Sequence, residues 1–89
     1  MPKFVIEREM PGVGKLSPEE LKNAARKSAG VMRDMATIHW VETYVTDDKL
    51  YCVYTAPDEG AIRKHAQAAG LPADRVSPVR TIADATTAE

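Results

Sequence analysis

Cysteine is nearly absent from this sequence. Cys52 stands alone among 89 residues, so no disulfide within the chain can staple the fold. There is no Cys-x-x-Cys and no His-x-x-x-His, which removes two common sequence signatures of redox and metal sites. A surplus of one charge is missing too. Twelve basic residues face 13 acidic ones, for a net charge of −1. A nucleic-acid binder needs a basic footprint, and none is present. No apolar run approaches the ~20 residues of a membrane span. The opening Met1-Pro2-Lys3-Phe4 lacks a signal-peptide apolar stretch. The expected setting is therefore cytoplasmic, with neither nucleic acid nor membrane as partner.

What is present is ordinary in bulk: 44% hydrophobic and 28% charged residues, as in a globular domain. Residues 1–89 make one domain. A chain this short buries roughly 60–65% of its unfolded surface, enough for one thin core. One sheet face is then hard to cover, and size alone raises the expectation of a homodimer.

Residues 3–9 are β-prone and run into the turn chemistry of Met10-Pro11-Gly12-Val13-Gly14. Ser17-Pro18-Glu19-Glu20 reads as a helix start, with a capping serine, proline in the first turn and Glu20 placed for a capping box. Leu21, Ala24, Ala25, Ser28, Val31, Met32 and Met35 recur at helical spacing, predicting an amphipathic helix over 18–35. Gly30 within it suggests close packing on the sheet. Residues 38–46 and 49–56 form a hairpin around Asp47-Asp48. Pro57-Asp58-Glu59 opens a second helix that Gly70 stops, with Ile62, His65, Ala66 and Ala69 inward. Residues 75–82 make a last strand, which Pro78 confines to an edge or a bulge.

This order, β-α-β-β-α-β, defines an α+β, ferredoxin-like sandwich: a four-stranded antiparallel sheet with two helices on one face. Strict alternation divides the hairpin. Trp40, Glu42, Tyr44, Tyr51, Val53 and Thr55 fall on the open face. His39, Val41, Thr43, Val45, Leu50, Cys52 and Tyr54 fall on the helix side. A bare face with these aromatics would be a large apolar patch, and face-to-face dimerisation is the usual remedy.

No strong catalytic motif occurs. Gly12-Val13-Gly14-Lys15 lacks the spacing of a phosphate loop. No serine sits in a nucleophile elbow. His65, on the inner stripe, is either a satisfied core histidine or a ligand or acid–base group. Cys52 is either a small buried hydrophobe or a thiolate ligand. Were the two to meet, a nitrogen–sulfur site suited to zinc, nickel or copper would result. His39 is a further candidate ligand near the rim. Glu7 and Glu42, with Trp40, Tyr44 and Tyr51, form an open-face group that reads either as a ligand site or as a dimer contact, in which the acids pair with Arg8 or Arg80.

The run Trp40-Val41-Glu42-Thr43-Tyr44-Val45-Thr46-Asp47-Asp48-Lys49-Leu50-Tyr51-Cys52-Val53-Tyr54 resembles a family of small bacterial proteins, mostly domains of unknown function, of the dimeric α/β-barrel superfamily. So do Phe4-Val5-Ile6-Glu7-Arg8, Ala56-Pro57-Asp58-Glu59 and Ile62-Arg63-Lys64-His65-Ala66 leading to Gly70-Leu71-Pro72-Ala73. Some members are described as nickel-binding. The resemblance implies a homodimer and a divalent transition metal, nickel first, with His65 and Cys52 as the matching positions of ligand chemistry. The leading expectation is a cytosolic metal-binding homodimer acting by binding or buffering rather than turnover. Two alternatives stand beside it. One is a small enzyme, monooxygenase- or cyclase-like, using the open face as a substrate cavity, with Glu7, Glu42, Tyr44 or His65 moving protons. The other is an interaction module.

Overall fold

Alternation in Lys3–Glu9 sets the centre of the molecule. Phe4, Ile6 and Arg8 point one way and are buried, while Lys3, Val5 and Glu7 point the other and are half-buried. In the computed structural model, which describes residues 1–89, this strand is β1 (Lys3–Glu9). It is followed by α1 (Pro18–Arg33), β2 (His39–Val45), β3 (Lys49–Thr55), α2 (Glu59–Ala69) and β4 (Arg75–Pro78). Single 3-10 turns occupy Val13–Lys15 and Ala85–Ala88. The antiparallel sheet has the order β2-β3-β1-β4. The βαββαβ ferredoxin-like arrangement expected from the sequence is the one observed.

The core is Phe4 and Ile6 of β1, Cys52 and Tyr54 of β3, Ile38, Ala56, and Ile62 of α2. Every strand residue in it lies on the side the helices cover. α2 presents the expected stripe: Ile62, His65, Ala66 and Ala69 are all buried. Its start is capped by Asp58, whose carboxylate accepts from the Ala61 N–H at 2.8 Å. Its end turns at Gly70, where φ is +69°, a left-handed value that a side chain resists.

α1 begins as its sequence dictates. Ser17 Oγ accepts from the Glu20 N–H at 3.1 Å, and Glu20 Oε1 accepts from the Ser17 N–H at 2.9 Å. These bonds hold the Glu20 carboxyl below its usual range, the Ser17 backbone N–H contributing most. The helix ends at Arg33, two residues earlier than the periodicity suggests, with Met35 in the following turn. Only Ser28 of α1 is fully buried. The stripe toward the sheet is small there (Ala24, Ala25, Ser28), so the helix fills little of the space beneath it. The close approach expected at Gly30 is not made: a Cβ there would meet nothing within 4 Å.

The hairpin keeps the expected register from Glu42 onward, with Glu42 opposite Val53, Tyr44 opposite Tyr51 and Val45 opposite Leu50. Before that a bulge intervenes. Trp40 pairs with Tyr54 and Glu42 with Val53, leaving Val41 over. The extra residue flips the start of β2: Trp40 turns to the helix side and His39, opposite Thr55, to the open side. The expected last strand over 75–82 is shorter, ending at Pro78. Pro78 sits on an edge strand and offers no N–H, and Val79 adds only one further bond, to the Lys3 carbonyl at 2.8 Å.

The loop after β1 is tied to the hairpin turn. Met10 N–H donates to the Asp48 carbonyl at 2.9 Å, and Gly14 N–H to the Asp47 carbonyl at 3.0 Å. The two backbones meet so closely that a Cβ on Gly14 would lie 2.8 Å from Asp47 Cα. Gly14→Ala should therefore cost about 1–3 kcal/mol of stability, as overpacking does. Ser17→Ala, which removes only the cap, should cost ~1 kcal/mol. Urea unfolding of both variants measures the difference.

Candidate functional site

Because β1 alternates and lies inside the sheet, Arg8 enters the interior with Phe4 and Ile6. Its side chain is 0% exposed. Its Nε donates to Cys52 Sγ at 3.4 Å, and its Nη1 donates to the carbonyl oxygen of Pro72. Its Nη2 is buried without any hydrogen-bond partner. None of the four ion pairs in the chain involves it. A buried guanidinium without a carboxylate is costly, because the desolvation penalty has no Coulombic return.

Two further groups, Tyr54 and His65, lie close enough to feel this cation. Tyr54 stacks on Trp40, with centroids 6.4 Å apart, and meets the His65 ring at 5.5 Å. Burial pushes the Tyr54 phenol up and Cys52 adds to the effect, while the Arg8 charge and hydrogen bonding to Ser28 and Arg8 oppose it. His65 Nε2 lies 3.4 Å from both the hydroxyl and the carbonyl oxygen of Ser28. Burial pushes the His65 pKa down; the Ser28 carbonyl opposes this and the Arg8 charge adds to it. His65 is thus held as the neutral ring.

A cavity of about 250 Å³ opens beside the cluster, between α1 and the sheet. Ala24, Ala25 and Ser28 form its helix wall. Trp40, Thr43, Cys52 and Tyr54 form its sheet wall, and Val13 and Leu16 of the tied-down loop close one side. Twelve of its 14 lining residues are hydrophobic, so its chemistry is that of an apolar pocket.

Cys52 and His65, the leading candidate ligands, thus lie in one interior cluster around Arg8. His39 does not join them, because the bulge puts it on the other face, exposed. Trp40, expected on the open face, is half-buried against the core and its indole N–H donates to Thr43 Oγ1 at 2.9 Å. The open face keeps Glu7, Glu42, Tyr44 and Tyr51. Glu7 pairs with Lys49 at 3.4 Å and approaches Arg75 at 3.9 Å, and Lys49 also reaches Glu9 at 3.3 Å. Tyr44, 57% exposed, has its phenol pKa raised by hydrogen bonding to Glu42. The expected role of Arg8, pairing with an acid across a dimer contact, is overturned by its burial on the helix side. The signal was in the sequence: Phe4, Ile6 and Arg8 share one parity.

No three His, Cys, Asp or Glu side chains converge within one chain to hold a metal ion. The interior pair fits a cation poorly, because Arg8 contributes a positive charge 3.4 Å from the Cys52 sulfur. No helix is long and apolar enough to cross a membrane.

Fold and site together define a small ferredoxin-like domain with a bare sheet face and an interior cavity. A family model described as "Nickel responsive protein SCO4226-like" matches residues 4–79, and the chain belongs to that family. It is similar to the crystal structure of SCO4226 from Streptomyces coelicolor A3(2), at 21% identity and a TM-score of 0.77. That match covers 91% of this chain and 99% of the other, and it bears on the fold alone. No curated protein matches the sequence.

The depressed His65 pKa has a sign. The unfolded chain binds the proton near the ordinary value of about 6.5, while the folded chain binds it only at lower pH. Stability is therefore full above ~6.5 and falls as pH drops from there toward the folded-state pKa. In metal-free protein, urea midpoints should decline across that range in the wild type and less in His65→Gln. Parallel declines would remove His65 as the source.

Proposed function

We propose that this chain is a nickel-responsive protein that works as a homodimer, and that two copies meet through the bare sheet face. The observation that carries the reading is that face. The helices cover only one side of the sheet, and on the other Tyr44 stands exposed beside Glu42, with His39 on the same strand and face. A second copy would cover Tyr44, Tyr51 and Val53, as small open sheets require.

Nickel enters through the family to which the chain belongs. Imidazole and carboxylate both suit it. One chain supplies too few converging ligands. His39 and Glu42 are the candidates that solvent reaches, and a second copy is the nearest source of more. Cys52 and His65 compose the rival set, in the interior. The role is binding or sensing, with no turnover invoked, in the cytoplasm.

Tag-free protein titrated with nickel and analysed by native mass spectrometry should show two copies per particle and retained metal. His39→Ala should lose the metal, and Tyr44→Arg should give monomers. Loss confined to Cys52→Ser and His65→Ala would move the site into the interior. A monomer that retains no nickel would end the reading.

A further inference from the structure

We propose that the cavity between α1 and the sheet is a binding site for a small uncharged aromatic molecule, a two-ring heterocycle in size. The proposal does not rest on the nickel reading, since the cavity lies on the opposite side of the sheet from His39 and Glu42.

The space is built into the fold. Native interiors are normally filled, yet Ala24, Ala25 and Ser28 of α1 are too small to reach across to the sheet here. The walls are also fixed in place. The loop that carries Met10 and Val13 is tied to the hairpin turn by the Met10 N–H on the Asp48 carbonyl at 2.9 Å and the Gly14 N–H on the Asp47 carbonyl at 3.0 Å. Leu71, on the far wall, donates its N–H to the Ala66 carbonyl at 2.9 Å. A ligand therefore meets a formed pocket and has little to reorganise. Leu16, Leu21 and Val45 line it and are 37–40% exposed, which makes an apolar mouth.

The lining selects the ligand. None of the 14 lining residues is an Asp, Glu, Lys, Arg or His. A charged ligand would be stripped of water with nothing to pair with, which selects an uncharged one. The two hydroxyls of Thr43 and Ser28 are already engaged: Thr43 Oγ1 accepts from the Trp40 indole at 2.9 Å, and Ser28 Oγ lies 3.4 Å from His65 Nε2. A sugar or nucleotide would find too few partners. Trp40 and Tyr54 lie side by side in the sheet wall, with centroids 6.4 Å apart, and aromatic rings favour further rings at face or edge. Volume sets the size. A dry cavity of roughly 150 Å³ takes up benzene, and this one is about 250 Å³.

Indole should be titrated into the whole chain, with methyl NMR of Ala24, Ala25 and Leu16 to locate it and calorimetry to give the affinity. It should shift those signals saturably, one molecule per chain. Octan-1-ol, with as many non-hydrogen atoms as indole, should bind about three-fold or more weaker, the scale of an aromatic contact. Of the isosteric pair 3-acetylindole and indole-3-carboxylate, the neutral member should bind at least ~10-fold tighter. Ala25→Leu, which fills the cavity, should abolish binding with the circular dichroism unchanged. No saturable shift, or binding that survives in a folded Ala25→Leu, would overturn the site. So would pocket signals that move with protein concentration and ignore indole, since a second copy would then be the occupant. Equal affinity within the isosteric pair would overturn the uncharged assignment, and octan-1-ol binding as well as indole would overturn the aromatic one. Both ligand comparisons use the wild type and need no variant to fold.

Discussion

The buried guanidinium of Arg8 constrains everything around it. It sits on a central strand, buried on the same side as Phe4 and Ile6, and forms no ion pair with any carboxylate. Removing a charge from water without a counter-ion costs several kcal/mol, even after relaxation. A domain of this size has a total stability of only about 5–15 kcal/mol. Its neighbours answer that cost in kind. Pro72 turns its carbonyl inward and Cys52 offers its sulfur. His65 stays neutral, so that it adds no second cation, and its ring takes its hydrogen bonding from Ser28 across the helix pair. The linker after α2 is therefore fastened to β1 twice, by the Arg8 side chain at Pro72 and by Asp74, whose N–H donates to the Glu7 carbonyl at 3.0 Å and whose carboxylate accepts from the Glu9 N–H at 2.6 Å.

The bulge at Val41 is the second constraint. Without it Trp40 would face the bare side and His39 the interior. With it, the indole stacks on Tyr54 and forms part of the cavity wall, while a histidine is released to the open face. One inserted residue thus sorts ligand chemistry between the two sides of the sheet. Small residues on α1 do the rest, because Ala24, Ala25 and Ser28 leave unfilled the volume that leucines would occupy.

Much of the fold was legible because its signals are local. The capping box at Ser17, the stop at Gly70, the turn at Asp47-Asp48 and the inner stripe of α2 each follow from a few neighbouring residues. The family resemblance also held. The bulge and Gly30 depend on partners distant in sequence. Strict alternation cannot foresee a bulge, which is decided by how β2 meets β3. Gly30 looked like a packing device, yet nothing approaches it. Arg8, offered as a partner for the open-face acids across a dimer contact, lies inside, as its parity with Phe4 and Ile6 requires. In a central strand, position along the strand outweighs residue type.

The sheet consequently separates two kinds of chemistry. On the helix side, Arg8 is buried against Cys52 and the Pro72 carbonyl, behind an apolar cavity wall to which Cys52 and Tyr54 contribute. On the bare side, Lys49 pairs with Glu7 and Glu9, Arg75 approaches Glu7, and Glu42 stands beside Tyr44, with His39 exposed on the same strand. Adjacent residues of one strand serve both: Tyr51 and Val53 face outward, and Cys52 and Tyr54 inward. Anything that shifts β3 on one side must shift it on the other.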